Sequence, residues 1–170
     1  SNRSGSMQLW QMAADGSSAK QITNVEGGIE GYGVAATGDK MFYVKKVHAA
    51  DTKSSDRHKD MDKSKARIYD DLMARHWDYW DEGDYSHIFV ADLNSDGISN
   101  DKDIIGADAA WDAPLAPYFD AAEIAWSNNG KMLAYTCKPL TGAEYAVSTD
   151  SDIFIYNTKD GSTLNINKIK

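Results

Sequence analysis

Two kinds of β-hairpin alternate along this chain, and that alternation limits its fold more than any other feature. In the first kind, short strands meet through Asp-Gly: Gln8-Leu9-Trp10-Gln11-Met12 turns at Asp15-Gly16 and returns as Lys20-Gln21-Ile22-Thr23. The pattern recurs where His87 to Leu93 turns at Asp96-Gly97 toward Lys102-Asp103-Ile104-Ile105, and where Asp152 to Tyr156 turns at Asp160-Gly161 toward Thr163 to Ile166. Apolar residues at every second position suit a half-buried strand, and Asp-Gly suits the tight turn between two of them. In the second kind, Gly31-Tyr32-Gly33-Val34-Ala35 passes through Thr37-Gly38-Asp39 into Lys40 to Val44, and Ala122 to Trp126 passes through Asn128-Asn129-Gly130 into Lys131 to Tyr135. With the second kind as the inner pair of strands and the first as the outer pair, the repeating unit is a four-stranded antiparallel sheet of the sort that forms a β-propeller blade.

The expected fold is therefore all-β, a partial β-propeller of about two and a half blades. Residues 1–28 would form an outer half-blade, 29–112 a blade interrupted by an insertion at 48–82, and 113–170 a further blade. On this count the chain starts in mid-blade and stops before a ring closes. Unpaired sheet edges at its ends would favour self-association.

Within the insertion, His48 to Lys65 is polar and highly charged and is expected to be loop. Beyond it, Tyr69, Leu72, Met73, Trp77 and Trp80 recur at spacings of three and four, which predicts an amphipathic helix stopped at Gly83. Trp77 and Trp80 would anchor that helix to the sheet, with Arg75 pairing with a nearby Asp; the alternative is that Arg75, His76, Trp77 and Trp80 line a cleft. Asp81 and Glu82 would fall at the negative end of its dipole, where adjacent carboxylates are unfavourable unless they hold a cation.

The net charge of −8 is unevenly spread. Lys45 to Arg67 carries eight Lys/Arg against four Asp, and Asp78 to Asp112 carries ten Asp/Glu against the single Lys102. This acidic balance, with no interleaving of basic and aromatic residues, argues against a nucleic-acid partner. No apolar run approaches the ~20 residues of a membrane-spanning helix. The single cysteine, Cys137, excludes an intrachain disulfide and is expected to be a buried thiol.

The phrase Glu123-Ile-Ala-Trp126-Ser127-Asn-Asn-Gly130-Lys131-Met-Leu-Ala-Tyr135 is similar to the turn of the Tol-type propeller repeat, with Asn128-Asn129 in place of proline-aspartate. A narrower likeness lies in Ala66-Arg67-Ile68-Tyr69-Asp70-Asp71-Leu72-Met73, Arg75-His76-Trp77-Asp78-Tyr79-Trp80, Ser86 to Ala91 and Asp112-Ala113-Pro114-Leu115. Together these resemble the N-terminal propeller of bacterial prolyl oligopeptidase family serine peptidases, in the branch of acylaminoacyl-peptidases and dipeptidyl-peptidases. The resemblance implies a non-catalytic domain that gates short peptides toward a C-terminal α/β-hydrolase domain and helps bind their N-termini, in a periplasmic or secreted protein. It also implies that propeller carboxylates hold the peptide ammonium, for which the candidates are Asp81, Glu82 and Glu123, with Arg75 nearby.

The residues agree that this chain alone is not an enzyme. No Gly-x-Ser-x-Gly elbow is present to display a nucleophilic serine, and His48, His58, His76 and His87 have no recognisable nucleophile beside them. No cofactor is required. One metal pattern stands out: Asp92, Asn94, Asp96, Gly97 and Asp103 match positions 1, 3, 5, 6 and 12 of a calcium loop, although the strand at Ile88 to Leu93 before it and the turn sequence Asn-Ser-Asp-Gly favour a plain hairpin turn. Two other functions remain open, a stand-alone Tol-like propeller that binds proteins and a calcium-stabilised binding module.

Overall fold

The computed structural model describes residues 1–114 and 121–168; Leu115 of the motif above lies outside the described residues. Strands β1 (Trp10–Gln11) and β2 (Lys20–Gln21) form an antiparallel ribbon in which Trp10 faces Gln21. β3 (Gly31–Val34) pairs with β4 (Lys40–His48). An insertion follows, carrying the single-turn helix α1 (Ser54–Arg57) and a ribbon of β5 (Arg75–His76) and β6 (Tyr79–Trp80). The chain then rejoins the sheet as β7 (Asp84–Asn94) and β8 (Gly97–Asp103), giving the order β3-β4-β7-β8. A second four-stranded sheet is built from β9 (Ile124–Trp126), β10 (Met132–Cys137), β11 (Asp152–Asn157) and β12 (Thr163–Asn165), with the short helix α2 (Gly142–Val147) between β10 and β11. Each sheet is an antiparallel meander with one hairpin of each kind side by side, as the alternation predicts.

The core explains why β4 reads as an unbroken apolar run. Met41, Phe42, Tyr43 and Val44 are all buried because both faces of the strand are covered. Phe42 and Val44 point one way, into a cluster with Ile88, Leu133, Tyr135 and Tyr156 that joins the two four-stranded sheets. Met41 and Tyr43 point the other way, toward Ile29, Ala91, Leu9 and Val25. The Trp126 indole crosses between the sheets and donates to the Gly33 carbonyl at 3.1 Å. Glycine is needed at position 33, where a Cβ would lie 2.4 Å from the Phe42 ring. Cys137 is buried, and burial pushes its thiol up to about 12.

The insertion departs from the expected helix. Residues 69–80 instead run through irregular chain into the β5–β6 ribbon, with Trp77 in the left-handed region at φ 48°. The anticipated apolar stripe is not a buried face, since Leu72 is 56% and Trp77 67% exposed. Trp77 is thus no anchor. Tyr69 and Trp80 stack on each other at 6.1 Å, and the guanidiniums of Arg67 and Arg75 lie over the Trp80 ring. The physical reason is twofold. Tyr, Asp, His and Trp are mediocre helix formers, and a helix this short needs one buried face to be stable. The expected loop at 48–65 in turn contains α1 and a 3-10 turn at Lys59–Met61.

Both roots of the insertion are pinned together. The amides of Ala49 and Ala50 donate to the Gly83 carbonyl at 2.9 and 3.2 Å. Gly83 adopts φ 78°, and a Cβ there would lie 1.7 Å from the Ala50 carbonyl oxygen, so no other residue fits.

Candidate functional site: an acidic cavity under the insertion

The insertion folds back over the sheet, and a half-open cavity of about 930 Å³ lies between them. Tyr85 and Ser86 of β7 and Glu30, just before β3, contribute on the sheet side. Tyr69, Trp80 and Asp81 contribute from the insertion, and Trp111, Asp112 and Tyr145 from the second half of the chain. At the start of α2 the approach is close, because a Cβ on Gly142 would lie 2.1 Å from Asp71 Oδ2. The resulting surface combines aromatic rings with carboxylates.

The two neighbouring candidate carboxylates lie in the segment returning to β7, not at a helix end, and have different environments. Glu82 is neutralised: Arg67 pairs with it and Lys53 Nζ lies 3.3 Å away. The Arg67 hydrogen bond, joined by Lys53, holds its carboxyl below the usual carboxylate range. Asp81 is held by uncharged donors, the Gly83 amide at 2.7 Å and the Tyr85 hydroxyl at 2.9 Å. Burial, reinforced by the Asp81 charge, drives the Tyr85 phenol upward, so it remains a donor. Among the described residues no basic side chain forms an ion pair with Asp81.

Nearby, Glu30 accepts from the Ser86 hydroxyl at 3.0 Å. Asp112 accepts from the Ser86 amide at 2.7 Å and from Lys46 at 3.2 Å. Two buried polar atoms on the cavity wall, Thr52 Oγ1 and His76 Nε2, have no hydrogen-bond partner among the described residues. A buried polar atom of this kind favours a site where something else completes the bonding.

The other candidates lie elsewhere. Arg75 does not line the cavity; its Nε donates to the Trp77 carbonyl at 2.8 Å. Glu123 sits in a 3-10 turn before β9 and accepts from the Thr136 hydroxyl. The calcium-loop residues do not wrap around one point. Asp92 is taken by Lys40 at 2.6 Å and Asn100 at 2.9 Å, Asn94 accepts from the Asp96 amide, and Asp96 is 96% exposed. Asp103 stands along β8 opposite Phe89 and bonds His87, because Gly97 begins a strand here and the chain extends away at ~3.3 Å per residue. The Asp81 to Tyr85 contact was not anticipated from sequence, although Asp81-Glu-Gly-Asp-Tyr85 spans only one turn of chain.

No protein-family model matches the chain. It is similar to dipeptidyl peptidases, and it aligns with only a segment of each. It is 37% identical over 162 residues to dipeptidyl-peptidase 5 of Porphyromonas endodontalis, an alignment covering 95% of this chain and 23% of that protein. With dipeptidyl-peptidase 5 of Porphyromonas gingivalis it is 38% identical over 168 residues, covering 99% of this chain and 24% of the relative. With dipeptidyl-peptidase 5 of Aspergillus fumigatus it is 32% identical over 82 residues, 44% of this chain and 11% of the relative. The chain thus spans about a quarter of the length of the bacterial relatives it matches.

Proposed function

We propose that this chain is the non-catalytic β-propeller portion of a secreted or periplasmic serine dipeptidyl peptidase of the prolyl oligopeptidase type. In this reading it gates short peptides toward an α/β-hydrolase domain carried elsewhere in the parent protein, and its acidic cavity holds the peptide N-terminus. Three features support this: the similarity to dipeptidyl-peptidase 5, the stacked four-stranded sheets, and the cavity itself, whose volume lies in the ~300–1,000 Å³ range of ligand pockets.

The single observation that carries the reading is Asp81. Its charge is oriented by Gly83 and Tyr85 but is not neutralised by them. A peptide ammonium, with several N–H donors and a full positive charge, supplies the missing counter-charge through charge-assisted hydrogen bonds. The aromatic walls of the cavity suit the side chains of the peptide. Glu82 serves to hold the insertion through Arg67 and Lys53.

The test is the Asp81→Asn variant of the parent enzyme, assayed on dipeptidyl substrates with free and with acetylated N-termini. Loss of a charge-assisted bond predicts a roughly 10- to 100-fold fall in kcat/KM for the free N-terminus, expressed mainly in KM. An equal effect on both substrates, or none on either, refutes the assignment.

A further inference from the structure

We propose that His48, Asp51 and Asp56 form a binding site for a divalent transition ion of the zinc type, a clasp at the root of the insertion. His48 is the last residue of β4 and lies opposite Asp84, the first residue of β7. Its Nδ1 is 2.8 Å from Asp84 Oδ1, and its Nε2 is 3.2 Å from Asp51 Oδ1. A neutral imidazole has one N–H. Donated to Asp84, it leaves the Nε2 lone pair facing a carboxylate lone pair, an arrangement favourable only with a cation between them, either a proton or a metal ion.

Three observations favour the metal. First, a proton needs one acceptor, yet Asp56 also converges here: one ligand atom from each of His48, Asp51 and Asp56 lies within 4.8 Å of the others. Second, the 3.2 Å separation of Nε2 and Oδ1 is close to the edge of about 3.3 Å between two ligands of a tetrahedral zinc ion with bonds of about 2.0–2.1 Å. Third, a histidine ligand commonly donates its other N–H to a carboxylate that sets its tautomer and direction, which is the place of Asp84. Nitrogen with carboxylate oxygen suits zinc and its neighbours, whereas calcium takes all-oxygen shells.

The surrounding chain holds the donors in place. The paired amides of Ala49 and Ala50 on the Gly83 carbonyl shape the turn between His48 and Asp51, and Arg57 Nε donates to the Asp51 carbonyl at 2.8 Å. Between Asp51 and Asp56 lie two buried hydroxyls, Thr52 and Ser54, without a hydrogen-bond partner among the described residues. Because His48 and Asp51 stand at one root and Asp84 at the other, a bound ion would tie the ends of the insertion together and rigidify the cavity that Asp51 and Asp84 also line. The inference is independent of the peptidase reading.

The experiment is calorimetric titration of zinc chloride into the 170-residue chain in a non-chelating buffer, with calcium chloride as the comparison. One zinc equivalent bound at micromolar affinity, undisturbed by millimolar calcium, is expected. Asp84→Asn, which touches only the outer carboxylate, is expected to weaken zinc about 10- to 100-fold. His48→Gln and Asp51→Asn are expected to abolish the site while leaving the circular dichroism spectrum of the sheets intact. Absence of saturable zinc binding by the folded wild-type chain overturns the proposal. So does binding that depends on His48 but is indifferent to Asp51, Asp56 and Asp84, which would mark an ordinary surface histidine.

Discussion

The His87 imidazole, fully buried in β7, lies with Nδ1 2.8 Å from Asp103 Oδ2 on β8 and with Nε2 2.9 Å from the Ala109 carbonyl. The ring thus bridges a carboxylate of β8 and a backbone carbonyl of the chain beyond it. Asp103 in turn accepts from the amides of Ile105 and Gly106, tying the chain after β8 to the sheet. Breaking a buried pair of this kind leaves one charge uncompensated. His87→Ala is expected to destabilise the chain by about 3–5 kcal/mol in urea unfolding. A loss below ~1 kcal/mol would mean that the two contacts of the ring do not hold β7 to β8 and the chain beyond it.

Asp103 also sets a pH dependence. Burial alone would raise its carboxyl, but the His87 bond and the two amide donors outweigh it and leave the group below the usual carboxylate range. A depressed folded value means stability that is complete above the unfolded value of ~3.9 and lost as pH falls through the folded one. The stability of wild type is therefore expected to fall more steeply below about pH 4 than that of Asp103→Asn. Parallel acid-unfolding curves for the two proteins would contradict this.

Gly83→Ala places a Cβ 1.7 Å from the Ala50 carbonyl oxygen at a φ of 78°. The left-handed conformation alone costs about 1–2 kcal/mol for an L-residue, and the clash adds to it. The roots of the insertion are expected to separate, giving faster proteolysis between residues 49 and 82 while β3, β4 and β7 to β12 retain their amide protection. Uniform cleavage throughout the chain would indicate global unfolding instead.

Asp81 and Glu82 are expected to behave differently although they are neighbours. Binding of a dipeptide amide to the 170-residue chain, followed by tryptophan fluorescence, should weaken at least ~10-fold in Asp81→Asn. It should change by less than about threefold in Glu82→Gln, because Arg67 and Lys53 already screen that charge. Equal losses would assign the two carboxylates a shared role.

Calcium at ~1 mM is expected to leave the melting temperature unchanged, since Asp92 is engaged by Lys40 and Asn100 while Asp103 is engaged by His87. A rise of several degrees that vanishes in Asp92→Asn would restore the hairpin as a metal loop.

The sheets were legible because their determinants are local. Strand period, Asp-Gly turns and the pairing of adjacent strands depend on residues close in sequence, so Trp10 opposite Gln21 or Tyr156 opposite Thr163 follows from the hairpins themselves. The insertion departs from its sequence period for a related reason. Tyr69, Leu72, Met73, Trp77 and Trp80 keep a helical spacing, but spacing forms a helix only where a surface is present to cover that face, and here Tyr69 and Trp80 stack on each other while Leu72 and Trp77 stay exposed.

What sequence alone determined, then, is a run of antiparallel hairpins, a chain without a nucleophile elbow, and an acidic segment from Asp78 to Asp112 that includes the candidate site residues Asp81 and Glu82. Only the tertiary structure decided which carboxylates are spent and which are free to act. Glu82 meets Arg67 fifteen residues away, Ser86 reaches Asp112 across twenty-six residues and Glu30 across fifty-six. Adjacent acids look equivalent in a sequence; a fold separates them by giving one a guanidinium and the other a phenol.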